Sequence, residues 1–166
     1  MAQPLPTIRQ IYAPALVPQV VAIATVAVAI HAFASNVPWL RAVFIAALTY
    51  WISCRIARAI VLRHHTAAIA AYKARKFDEA LTHNKESFDF FDAHPMLDRC
   101  RALVFGVAGP NTFRTIALTN SAYCHAMRGD RTEAATIFAR VLKETPDCAN
   151  AEFGLKMLEG IHTNVS

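Results

Sequence analysis

The chain has 166 residues, 55% of them hydrophobic and only 17% charged, which suits one domain or a membrane anchor with a small domain attached. All 12 acidic residues lie at or beyond Asp78, so residues 1–62 carry Arg9, Arg41, Arg55 and Arg58 with no acid (+4), while 63–166 carry 13 basic against 12 acidic residues (+1). The net charge of +5 therefore does not point to nucleic acid: the excess flanks apolar runs, which is a topology signal, and the rest of the chain is nearly neutral.

Residues 13–35 read APALVPQVVAIATVAVAIHAFAS, without formal charge. A helix needs roughly 20 apolar residues to cross a bilayer. Pro14 and Pro18 suit the start of such a helix, and Ser35, Asn36 and Pro38 suit a tight turn after it. A second apolar run occupies 37–62, with Trp39 at one interface and Tyr50 and Trp51 deeper or toward the other. Arg55 and Arg58 are placed to snorkel outward. Two such runs joined by a short turn predict a transmembrane hairpin over 1–62 and favour it over a buried soluble hairpin. Arg55, Arg58, Arg63, Lys73, Arg75 and Lys76 follow the second run, against Arg41 in the turn, so the positive-inside rule predicts a cytoplasmic C-terminal domain over 63–166 in an inner or plasma membrane. A rival reading makes 1–34 a signal peptide ending at Ala32-Phe33-Ala34; it is weaker, because the n-region holds only Arg9 and the apolar run is long. His31 lies near the end of the first run, where a neutral imidazole is tolerable, and no second histidine accompanies it in the spans.

Between Trp39 and His94 there is neither Gly nor Pro. One helix over 39–76 would be about 57 Å long and would carry the second span into the domain. Two stretches beyond it resemble each other, 68–88 and 117–147. Aligning Phe77-Asp78-Glu79-Ala80 with Arg131-Thr132-Glu133-Ala134 puts Glu-Ala at the same place in both, at a spacing of 54 residues (77 to 131).

In the second stretch Leu118, Ala122, Gly129, Ala134, Phe138 and Pro146 fall at the large, small, glycine, alanine, aromatic and proline positions of a tetratricopeptide repeat (TPR), which the stretch resembles. Physically, Ala122 and Ala134 let two helices approach, Gly129 ends the first in a left-handed conformation, Asp130 with Glu133 forms a capping box, and Phe138 fills the groove. The first stretch matches at Tyr72, Phe77 and Ala80, then departs: Asn84 stands where an aromatic is expected and Pro95 comes three residues late. Residues 149–159 resemble the start of a third unit. The resemblance implies an all-α fold, the hairpin followed by a short domain of helix pairs, and binding of a protein or peptide in a groove lined by first helices. On that likeness His65, Ile69, Tyr72 and Lys73, with Thr119, Asn120 and Tyr123, are the candidate partner-binding residues.

The apolar segment 102–107, with Gly106, Gly109 and Pro110 about it, is not explained by the repeat; it is expected to be an inter-helix loop tucked onto the core. No phosphate loop, nucleophile elbow, HExxH or paired CxxC occurs, so no catalytic residue, metal ligand or cofactor is predicted. His64 and His65 are adjacent, which turns their rings about 100° apart on a helix, a poor metal geometry. Cys124 and His125 likewise face different ways, and the four cysteines, Cys54, Cys100, Cys124 and Cys148, read as reduced thiols. The sequence thus predicts a membrane-anchored adaptor or scaffold, not an enzyme, with the bilayer and a protein or peptide as partners. The alternative is an accessory subunit whose hairpin packs on other transmembrane helices through Ala22, Ala24, Ala27 and Ala29. So few repeats also predict that the domain leans on another element for stability.

Overall fold

The apolar runs and the helix-forming stretch that follows them all fold as helix. The computed structural model describes residues 13–34, 36–107 and 109–160, and among these every regular element is helical, with no strand. Arg9 and Ser35, used above for topology and turn, lie outside the described residues. Contacts divide the described chain into two units, 13–62 with 99–110, and 63–98 with 111–160. The segment 99–110 therefore belongs with the hairpin, and the boundary expected at 62/63 is only one of three crossings.

In the hairpin unit a 3-10 turn (Ala13–Leu16) leads into α1 (Val17–Phe33), and α2 (Trp39–Val61) returns beside it. Pro18 sits in the first turn of α1, where a missing N–H breaks no helical bond. Polar side chains bond back to their own helix: Gln19 to the Ala15 carbonyl, Thr25 to that of Val21 and Ser53 to that of Thr49. His31 Nδ1 donates to the Val37 carbonyl at 3.1 Å, and its ring meets the edge of Trp39 at 5.7 Å. This histidine closes the turn between the two helices. Ala27, Ala42 and Ala46 are completely buried, because small side chains let the helices pack closely. Most bulky residues, Val20, Val28, Leu40, Phe44, Trp51 and Ile60 among them, face outward.

The single helix expected over 39–76 is interrupted. α2 stops at Val61, Leu62 turns out of helical geometry (φ −91°, ψ 16°), and α3 (Arg63–Lys73) starts afresh. Neither Gly nor Pro marks the break; Leu62 is buried in one unit and Arg63 opens the other.

The second unit is an array in which α3, α4 (Phe77–Ala93), α7 (Phe113–Arg128), α8 (Arg131–Glu144) and α9 (Ala149–Gly160) each pack on the next. Two short helices, α5 (Pro95–Arg99) and α6 (Arg101–Phe105), intervene between α4 and α7. The turns after α3 and α7 are built alike. Lys76 N–H bonds the Ala71 carbonyl and Arg75 N–H that of Tyr72; 54 residues on, Asp130 N–H bonds His125 and Gly129 N–H bonds Ala126. These are paired 6→1 and 5→2 closures, with Arg75 (φ 59°) and Gly129 (φ 91°) in the left-handed region. Gly129 thus ends its helix as expected.

The expected capping box is absent: Asp130 makes no side-chain cap bond, and its carboxylate faces His125 (3.4 Å) and Arg128 (3.6 Å) instead. α7 is capped twice over. Thr112 accepts the Thr115 N–H (3.1 Å), and buried Asp98, far back in sequence, accepts the N–H groups of Phe113 (2.8 Å) and Arg114 (3.0 Å). Three orphan donors and the positive end of the helix are so satisfied. Phe138 is fully buried against Gly154, where an added Cβ would lie 2.3 Å from the ring. On another face Arg114 bonds Asp92 (2.6 Å) and Glu144 and stacks over Phe88 (4.8 Å), tying α4, α7 and α8 together.

Candidate partner-binding surface

The residues singled out on α3 and α7 divide by burial. His65, Thr119 and Tyr123 are core residues, at 8%, 3% and 4% exposure. His65 lies with its ring edge-on to Phe113 at 5.1 Å, and burial pushes its pKa down to about 4, against the pull of Asp98. Thr119 Oγ1 donates to the Thr115 carbonyl at 2.8 Å and lies 4.0 Å from the Cys148 sulfur. Tyr123 donates to the Asn150 carbonyl at 2.6 Å and meets the edge of Phe138 at 5.0 Å, so it fastens α9 to α7; burial raises its pKa to about 12. These three hold the array together and offer a partner no surface.

Ile69 and Lys73 are exposed on α3, while Tyr72 and Asn120 are half-buried. Tyr72 packs on the cluster that holds Ala122 and Tyr123 and meets the edge of Phe77 at 5.7 Å. Its exposed neighbours Ile69 and Lys73 therefore stand on a helix whose inner face is already fixed. The surface left to a partner is narrower than the sequence suggested: Ile69 and Lys73, with the accessible parts of Tyr72 and Asn120.

The adjacent Cys124 and His125 do not form a pair. Cys124 is buried, receives Asn84 Nδ2 at 3.9 Å, and has its thiol pushed up to about 12 by burial, whereas His125 faces Asp130. A neutral, enclosed thiol is a poor nucleophile.

Sequence reasoning missed a second cluster, within the hairpin unit. α6 is five residues long, so nearly all its carbonyls lack helical partners. Side chains of α2 supply them. Tyr50 donates to Leu103 (2.8 Å) and lies 3.3 Å from the Ala102 carbonyl; Arg58 Nε donates to Phe105 and Nη2 to Gly106 (3.0 Å). Gly106 adopts φ 58°, and a Cβ there would come within 3.3 Å of Arg58 Nη2. Arg101 closes the far side on the carbonyls of Gly109 (3.0 Å) and Pro110 (2.9 Å). Arg58, expected to snorkel free, is instead a clamp. The only signal for this was the unexplained apolar run itself. No family model matches this chain, and neither a curated protein nor a solved structure does.

Proposed function

We propose that this chain is a membrane-anchored adaptor of TPR-like helix pairs, which holds a protein or peptide partner at the cytoplasmic face of an inner or plasma membrane. The observation that carries the reading is a repeat in three dimensions. Besides the matching turns, buried positions recur at the same spacing of 54 residues: Ala68 with Ala122, Ala80 with Ala134, Asn84 with Phe138, Ser87 with Val141. The contacts of α3 with α7, and of α7 with α9, suit stacked pairs whose first helices form one face.

The anchor rests on two helices, Pro14–Phe33 and Trp39–Val61, that are long and apolar enough to cross a membrane and are almost unburied within the chain. Bulky apolar side chains facing outward favour a bilayer over a soluble core. The backbone of 101–106 also suits a membrane, because non-helical carbonyls at that depth need protein donors, and Tyr50 and Arg58 are such donors. The basic residues after the second helix favour a cytoplasmic domain.

Photoactivatable residues placed at Ile69, Asn120 and Phe44 in intact membranes test this. Ile69 and Asn120 should give the same protein adduct, and Phe44 should label lipid. Labelling of lipid from Phe44 with no protein adduct at the other two would sink the adaptor. A second reading, an accessory subunit, draws on Ala24 and Ala29, which face outward on α1. Replacing 13–61 with an unrelated hairpin separates the two, since an adaptor keeps its partner and an accessory subunit loses its complex.

A further inference from the structure

α3 and α4 run antiparallel, joined by three residues, and this brings side chains 19 and 22 positions apart onto one spot. His64 Nδ1 lies 2.6 Å from Glu86 Oε2, and His83 Nδ1 lies 2.9 Å from the same oxygen. The two rings are 5.9 Å apart between centroids. His83 and Glu86 stand at i and i+3 on α4 and so share a face; His64 comes from the first turn of α3. The side chains are 31%, 28% and 45% exposed, open to solutes yet each held by the others. His65, the neighbour that makes the sequence pair look unpromising, points away into the core.

We propose that His64, His83 and Glu86 bind a borderline divalent transition metal ion, Zn2+ first among them. Two imidazoles and one carboxylate are the ligand set of an open zinc site, with a fourth position left for water or another donor. All three ligand atoms already lie within 4.8 Å of one another. A tetrahedral ion with bonds near 2.1 Å holds its ligands about 3.4 Å apart. The carboxylate oxygen must therefore withdraw by less than 1 Å from each imidazole, an easy motion for a half-exposed Glu. At present the oxygen accepts from the two rings, and the histidines' bonds hold the Glu86 carboxyl below its usual range, His83 first, which keeps it anionic. The ion takes the place of the two bridging protons, each of which moves to Nε2 of its own ring so that both imidazoles stay neutral.

One adjustment is required. Arg63 Nε donates to His64 Nε2 at 2.9 Å, which leaves the His64 proton on Nδ1. Metal binding at Nδ1 moves that proton to Nε2, so Arg63 must swing off; it is exposed and can do so. Bound metal would fasten the start of α3 to the middle of α4.

The test uses the full chain without an affinity tag, in detergent, stripped with chelator and then titrated with Co2+. One Co2+ per chain should bind with a visible absorption band, and Zn2+ should displace it. H64A and H83A should each weaken binding at least tenfold, E86Q should weaken it, and H94A should leave it unchanged. R63Q should bind as tightly as the parent or tighter. Zn2+ should raise the melting temperature of the parent and not that of H64A. H64N, with helicity matched to the parent, separates a lost ligand from a lost fold and should bind as weakly as H64A. Uptake by H64A/H83A as tight as by the parent overturns the proposal, as does failure of the parent to bind Co2+ more tightly than H64A.

Discussion

Arg75 and Gly129 hold the same place in two turns built to one pattern, each with positive φ, 59° and 91°. Only glycine enters that region freely; other residues pay roughly 1–2 kcal/mol. R75G should therefore raise stability by about 0.5–1 kcal/mol, the gain being trimmed by the greater freedom of glycine in the unfolded chain. G129A should lower stability by about 1–2 kcal/mol, although a Cβ there meets nothing within 4 Å, because the cost is conformational. Urea unfolding of the full chain in detergent measures both. A loss of stability in R75G would show that Arg75 is not strained.

Buried His65 makes the array sensitive to acid. Its folded pKa of about 4 lies below the unfolded value near 6.5, so below pH 6.5 the unfolded chain binds the proton first. Stability is then fully present above about pH 6.5 and falls as pH drops toward 4, by about 3 kcal/mol over the window. Asp98, which faces the ring, softens the loss. Unfolding at several pH values in the presence of chelator should show that slope in the parent and lose most of it in H65L. An equal slope in H65L would assign the sensitivity to other groups.

The clamp on 99–110 has its own signature. Arg58→Met strips the donors from the Phe105 and Gly106 carbonyls, and a buried acceptor left alone costs about 1–3 kcal/mol. Tryptic cleavage after Arg99 or Arg101 should become several-fold faster in R58M, and faster still in Y50F/R58M. Arg58→Lys keeps the charge but loses the two-pronged geometry and should fall between. Unchanged cleavage in the double variant would mean that the segment is held by its apolar packing.

Periodicity and composition made much of the fold legible. Both apolar helices and the glycine at the end of α7 follow from local rules, since each depends on neighbours a few residues away, and the packing of Ala122, Ala134 and Phe138 follows from the spacing of the repeat motif. What was not legible depends on partners brought from afar. Asp98 caps a helix from a separate short helix, and no local pattern announces an acceptor reaching across. Asp130 and Glu133 have the capping-box spacing, yet Arg128 and His125 take the Asp130 carboxylate first. The break at Leu62 carries neither Gly nor Pro, and Leu62 is buried, so no local signal in the sequence marks it.

The candidate surface was half legible for a similar reason. A helical register says which residues share a face, but which face turns inward is decided by the next helix. His65 and Thr119 are equivalents at a spacing of 54 residues, and both turn inward beside the small residues Ala68 and Ala122. The His64–His83–Glu86 cluster was invisible because it needs the antiparallel pairing of α3 with α4, whereas the sequence offers His64 only its useless neighbour.

The clamp also bears on the order in which contacts can form along the chain. The chain leaves the helical array after Asp98, docks 99–110 on α2, and re-enters the array at Asn111. The docking groove is complete before its guest is synthesised, while α3 and α4 emerge as half an array and wait for α7. Pairing of the hairpin would then come first and closure of the array last. A chain cut back to 63–166 would keep every helix of the array but carry a loop whose carbonyl partners, Tyr50 and Arg58, are gone.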